Sequence, residues 1–145
     1  MKAVLGVGMI LFALVLAIAP AFTDCESAGK MVATADGREI SMKCHWAGAA
    51  EVAAAIPLGI AGIYALRSRR KETLRFAAVV GIGASVAAIL LPTVIIGTCA
   101  NPMMVCNTLM KPIVLASGIL AGAASVGLFF VAKDQEPTVA PVAAA

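Results

Sequence analysis

Four cysteines are the residues of this 145-residue chain best suited to do chemistry. They occur as two pairs, Cys25 with Cys44 and Cys99 with Cys106, and each pair lies in a polar segment between apolar runs. On the oxidising face of a membrane, such thiols are expected to form structural disulfides. Four cysteines allow three connectivities, and the sequence does not choose between them. The simplest pairing joins the members of each segment, Cys25–Cys44 and Cys99–Cys106, because a turn lies between them.

A soft metal ion is the second chemistry that these segments suggest. His45 follows Cys44, and Met103 and Met104 lie between the two later cysteines. Thiolate and thioether ligands suit Cu(I). No CxxC, HxxxH or MxxM spacing fixes a ligand geometry. The sequence therefore favours disulfides and predicts no metal site, with Cys44, His45, Met103 and Met104 as the candidate ligands if one exists.

Glu51 is the only acidic residue inside an apolar run. An ionisable group in a membrane avoids lipid, so it should face the bundle interior and find polar partners. A backbone carbonyl or a hydroxyl such as that of Thr93 or Thr98 is the expected partner, and Glu51→Leu is expected to destabilise the fold. We predict an outward-facing polar patch of His45, Glu51 and Asn101 beside the cysteines. A proton or cation site at Glu51 is the functional alternative.

Four apolar runs must position these residues. Each is long enough to cross ~30 Å of hydrocarbon as a helix, in which all backbone polar groups pair within the span. The composition agrees, since 61% of the residues are apolar, 13% are charged and the mean hydropathy is +0.99. These values exclude a soluble enzyme and a nucleic-acid-binding protein, and they make the lipid bilayer the first partner. The sequence predicts an all-α membrane protein, a four-helix bundle over residues 1–133, with helices at residues 3–21, 46–66, 76–98 and 112–132.

Basic residues predict the orientation of the bundle. The link between the second and third runs, residues 67–75, holds five of the 11 lysines and arginines. Short basic loops stay in the cytoplasm. Both termini then lie on the cytoplasmic side of a plasma membrane, and both cysteine segments lie on the outer side. Residues 134–145 are expected to form a disordered cytoplasmic tail rich in Pro, Ala and Val. The first run also resembles a signal peptide, but it is longer than a typical signal core, so we favour a retained helix.

The first outer segment carries a hairpin signal. Asp36-Gly37 is a residue pair typical of a two-residue type I′ turn. In that register Met31 faces Met42 and Ala33 faces Ile40, and these four side chains share one face. We therefore predict a small extracytoplasmic β-hairpin that lies on the outer end of the bundle.

Two stretches of the chain resemble the DUF4418 family of prokaryotic membrane proteins. Residues 42–46 (MKCHW), with Glu51 five positions further on, are similar to its first signature, and residues 91–93 (LPT) with 96–106 (IGTCANPMMVC) are similar to its second. The resemblance implies a four-helix bundle with two outward cysteine loops, and it supplies no reaction. It places emphasis on the residues that match the signatures: Cys44, His45, Glu51, Cys99, Asn101, Pro102 and Cys106.

No nucleophile–base arrangement, phosphate loop or dinucleotide signature occurs in the sequence, so neither catalytic residues nor a cofactor are predicted. The favoured interpretation is a non-catalytic subunit or partner of a larger membrane complex, for example a transport system. Small residues at Gly81, Ser85, Gly118 and Gly122 predict close helix contacts, either within the bundle or with a protein partner or second copy. The alternatives are a membrane thiol–disulfide oxidoreductase, which the absence of CxxC disfavours, and a soft-metal (copper) binding protein.

Overall fold

The computed structural model describes residues 1–27 and 29–133. It contains four helices that are long and apolar enough to cross a membrane. They are α1 (Lys2–Thr23), α2 (Lys43–Arg67), α3 (Lys71–Leu90) and α4 (Lys111–Lys133). A wider π-helical turn, Leu91–Ile95, continues α3, and a second one, Cys106–Met110, leads into α4. The predicted all-α class with four long apolar helices is confirmed, whereas the predicted tail over residues 134–145 lies outside the described residues.

The third helix differs most from its predicted range of residues 76–98. It begins at Lys71, and its helical part ends at Ile95. Pro92 has no N–H to donate to the fourth preceding carbonyl, and the wider turn forms where this proline lies. Gly97 then adopts a positive φ of 75° while its N–H donates to the Leu91 carbonyl. This left-handed glycine ends the helix, since it turns the chain away from the helix axis.

The four helices form a closed ring. Helix α1 packs against α2 and α4, and α3 packs against the same two helices from the other side. Small residues line these contacts: a Cβ atom added at Gly118 would lie 3.0 Å from Ile89, and one added at Gly81 would lie 2.6 Å from Met9. The glycines of the predicted close-contact motifs therefore pack inside the bundle. The expected protein partner stays a prediction, and it would have to use other surfaces.

The two ends of the ring differ in composition. At one end, the N-terminus lies beside the three-residue link between α2 and α3, where the Lys2 ammonium donates to the Ser68 carbonyl at 3.1 Å. We call this the basic end, because the link and its flanks carry the basic cluster of residues 67–75. The opposite end holds all four cysteines and the two longer connections, and we call it the cysteine end.

A short hairpin lies in the connection between α1 and α2, but its register differs from the predicted one. Strands β1 (Val32–Ala33) and β2 (Glu39–Ile40) pair with Val32 opposite Ile40. The predicted type I′ turn is wrong, because such a turn needs positive φ at both central residues and only Gly37 has it. The Gly37 N–H instead donates to the Thr34 carbonyl, which gives a three-residue loop and moves the pairing by one residue.

Candidate functional site

One cysteine stands at or near the end of each helix. Cys25 follows the last turn of α1, and Cys44 lies in the first turn of α2. Cys99 lies just beyond the turn that ends α3, and Cys106 begins the turn that leads into α4. Because neighbouring helices of the ring run in opposite directions, these four ends meet at the cysteine end.

The four side chains converge into one group, which we call the thiol cluster. All four Sγ atoms lie within 4.8 Å of one another. The Cys25 Sγ atom lies 3.4 Å from that of Cys106 and 3.7 Å from that of Cys99, and the Cys99 Sγ atom lies 3.6 Å from that of Cys44. No disulfide bond joins any two of these four cysteines in the structure. These three contacts join the two loops, so the geometry does not single out the predicted pairing within each loop.

Three of the four thiols are sealed from solvent. Cys25 is 1% exposed, Cys44 and Cys106 are fully buried, and Cys99 alone of the four is partly exposed. Burial raises the pKa of the Cys25 thiol, and burial together with the neighbouring thiols raises the pKa of Cys99 to about 11. These two groups are therefore neutral thiols at neutral pH. A positive charge placed among them would favour their thiolate forms.

Three of the six distances between the sulfur atoms are close to the edge of a tetrahedral metal site. Thiolate sulfur lies ~2.3 Å from zinc, so the corners of such a tetrahedron are about 3.8 Å apart. The three Sγ contacts of 3.4, 3.6 and 3.7 Å are close to that edge. A disulfide bond is only ~2.05 Å long, so pairing would require the thiols to approach further. A fifth sulfur is close, since the Met42 Sδ atom lies 3.9 Å from the Cys99 Sγ atom.

A second group of ligand-type residues lies next to the thiol cluster in sequence. The His45 Nδ1 atom lies 3.2 Å from an Asp24 carboxylate oxygen and 2.9 Å from a Glu26 oxygen. Burial alone would raise the pKa of Asp24, but hydrogen bonds from Ser27 and His45 lower it overall. Asp24 and Glu26 were missed in the sequence, and their only signal is that they flank Cys25. His45 is thus held by carboxylates and does not join the thiols.

The other predicted metal candidates are two methionines of the second loop. Met103 is 84% exposed, and Met104 is half-buried in the wall of a surface cavity. Asn101, predicted in the polar patch, accepts a hydrogen bond from the Met103 N–H and, through its carbonyl, one from the Asn107 amide. Asn107 also donates to the Cys99 carbonyl at 2.6 Å and therefore holds the second loop in place. Its role was missed, and only its position beside Cys106 could have suggested it.

Glu51 lies inside the bundle, as expected, but without the expected partners. Its side chain is fully buried, and neither carboxylate oxygen has a hydrogen-bond partner among the described residues. The Thr93 hydroxyl donates to the Ile89 carbonyl, and the Thr98 hydroxyl donates to Asn107. The suggestion that either threonine pairs with Glu51 is therefore wrong, because each hydroxyl satisfies a nearer acceptor.

The comparison with known families agrees with the motifs of the two loops. A family model described as a domain of unknown function (DUF4418) matches residues 3–131. The chain belongs to the DUF4418 family. No curated protein and no solved structure matches the chain. The DUF4418 match covers all four cysteines and all but the outermost residues of the four helices. It carries no activity, so the function must be argued from the thiol cluster.

Proposed function

We propose that this DUF4418 protein is a multi-pass membrane protein that binds a soft metal ion through the four side chains of the thiol cluster. The observation that carries the proposal is the mutual approach of all four Sγ atoms to within 4.8 Å. Four sulfur ligands in a tetrahedral arrangement are typical of zinc and iron sites, and thiolates also bind Cu(I). In each case the ion favours the thiolate forms of the cysteines and releases their protons.

The position of the ligands gives the ion a mechanical role as well. Each helix supplies one cysteine at or near its end, so an ion held by all four would tie the four helix ends together. The free energy of binding would then add to the stability of the whole cysteine end. This role needs no catalytic residue, and it is compatible with a non-catalytic subunit of a larger membrane complex.

We further propose that the membrane is the plasma membrane and that both termini are cytoplasmic. The support is the concentration of positive charge at the basic end, where Lys2 contacts the link that carries the arginines. The thiol cluster would then face the outside. The close packing of α1 against α2 and α4 supports a retained first helix over a cleaved signal peptide.

A disulfide-stapled, non-catalytic subunit is the second candidate. The observation that favours it is that two of the short Sγ–Sγ contacts have no cysteine in common, so both could become disulfide bonds. These contacts join Cys25 to Cys106 at 3.4 Å and Cys44 to Cys99 at 3.6 Å. Two bonds between the loops would therefore require only small movements. This pairing differs from the one within each loop that the sequence suggested.

Metal content and thiol oxidation, measured on the same sample, test the proposal. The full chain is purified from its native membrane without reductant or chelator, its metals are quantified, and its cysteines are alkylated before and after the metal is removed by acid. We expect one ion per chain and four cysteines that become alkylated only after removal. A metal-free protein whose peptide map shows two disulfides would overturn the metal site and establish the second candidate.

A further inference from the structure

Cys99 is the only member of the thiol cluster that solvent can reach. It stands in the wall of an open cavity of about 600 Å³ between the hairpin and the second loop. The same cavity is bordered by Val32 and Ile40, the cross-strand pair of the hairpin. Because the other three thiols are buried, any ion that enters the cluster from this side must pass Cys99.

Thioether sulfur lies in the same cavity. Met42 and Met104 both line it, and the Met42 Sδ atom is 3.9 Å from the Cys99 Sγ atom. Cys99 in turn lies 3.6 Å from Cys44 and 3.7 Å from Cys25. The sulfur atoms therefore form a continuous path from the open cavity into the thiol cluster, which we call the sulfur path.

The charge of the cavity also selects between ions. Among the described residues, Lys43 is the only charged residue in its lining, and no carboxylate lines it. A lysine repels a divalent ion twice as strongly as a monovalent one at the same distance. Thioether ligands suit Cu(I), whereas zinc prefers thiolate, imidazole and carboxylate ligands.

We infer that the ion bound by the thiol cluster is Cu(I), and that it enters through this cavity with Met42 as the first protein ligand. The inference rests on the proposed function. Copper stays in the +1 state throughout: its bond to the Met42 thioether is replaced by a bond to the Cys99 thiolate, and the Cys99 proton passes to water. Cu(I) is attracted more strongly to the charged thiolate than to the neutral thioether, and this attraction offsets the cost of removing the Cys99 proton.

The test measures how fast the reduced full chain takes copper from a coloured Cu(I)–bicinchoninate complex in the absence of oxygen. Met42→Leu preserves volume and removes the thioether. We expect it to slow uptake about tenfold, the size of effect that supporting residues commonly have at metal sites, while the number of ions bound at equilibrium stays the same. Equal capacity also shows that the variant is folded. Met31→Leu is the matched control, because Met31 directly precedes strand β1 and does not line the cavity, and it should behave as the wild type.

A second measurement uses the unaltered chain. In the reduced, metal-free chain, one equivalent of a maleimide should label Cys99 before the other three cysteines, and the labelled protein should no longer take up Cu(I). Labelling of a different cysteine first, or uptake by Met42→Leu at the wild-type rate, would overturn the path. Binding of zinc with no retention of Cu(I) would overturn the inference and leave the proposed function standing, whereas failure of the wild type to bind either ion would overturn both.

Discussion

The two ends of the bundle are built from the same four helices but differ in the length and the chemistry of the connections between the helices. At the basic end, α2 and α3 are joined by three residues. A hydrogen bond from Lys2 to Ser68 connects this link to the start of α1. At the cysteine end, longer connections bring together thiols, a thioether, two carboxylates and an imidazole. The helices therefore act as a frame, and the long connections supply the chemistry.

The difference predicts that the two ends can be altered independently. Changes at the cysteine end should alter both metal binding and stability, because the proposed ligands are also the points where the helix ends meet. Changes at the basic end should alter stability or orientation alone. The following substitutions test that separation in order of decreasing effect.

Replacing any one cysteine with serine should have the largest effect. Removing a ligand is expected to lower metal affinity by at least ~100-fold, since even residues that only support ligands cost ~10–100-fold. Competition titration against a coloured chelator measures it. Arg70→Gln, at the exposed basic link, is the control and should bind as the wild type. Wild-type metal affinity in all four serine variants would show that the thiol cluster does not bind the metal ion.

Two glycines of α2 form a matched pair, one toward each end. A Cβ atom added at Gly48 would lie 2.9 Å from the Pro20 side chain, near the cysteine end. One added at Gly62 would lie 2.8 Å from Ile10 and 2.9 Å from the Gly6 carbonyl, toward the basic end.

We expect Gly48→Ala and Gly62→Ala each to destabilise the protein by ~1–3 kcal/mol, because each wedges α1 from α2. Thermal unfolding in detergent measures the loss. Only Gly48→Ala should also weaken metal binding, since Cys25 and Cys44 belong to these two helix ends. Equal losses of affinity in both variants would show that the ends are coupled.

Substitution of Glu51 should change stability by a similar amount but with the opposite sign. The sequence suggested that Glu51→Leu would destabilise, on the assumption that the carboxyl has polar partners. Because the buried carboxyl has no hydrogen-bond partner among the described residues, we now expect Glu51→Leu to stabilise by ~1–3 kcal/mol, while Glu51→Gln changes little. The thermal unfolding midpoints of the wild type, Glu51→Leu and Glu51→Gln measure these changes in stability. Destabilisation by leucine with rescue by glutamine would mean that Glu51 does have a polar partner.

The smallest effect is expected at the basic end itself. Lys2→Ala removes the hydrogen bond to the Ser68 carbonyl. A loss of no more than ~1 kcal/mol in unfolding free energy is expected, with metal affinity unchanged. A large loss of affinity in this variant would contradict the independence of the two ends.

Local patterns were enough to predict the four helices and the presence of the hairpin, because apolar length and the Asp36-Gly37 pair are properties of neighbouring residues. The register was not predictable from that pair, since it depended on Asp36 keeping a negative φ. The sequence led us to expect that Cys44 lies near the second loop, but not that all four thiols meet, and the reason is different. Spacing along the chain suggested Cys25–Cys44 and Cys99–Cys106, whereas the meeting of all four depends on how the helices close into a ring. The same holds for His45, whose carboxylate partners lie near the end of another helix.

X-ray absorption at the metal edge of the native purified protein tests the central claim most directly. The thiol cluster predicts sulfur neighbours alone, at ~2.3 Å from the ion. The spectrum should not change when His45 is replaced by Gln, because His45 lies with Asp24 and Glu26 and not with the thiols. Nitrogen or oxygen neighbours that disappear in that variant, or a protein that carries no metal, would contradict the thiol cluster as the functional centre of this molecule.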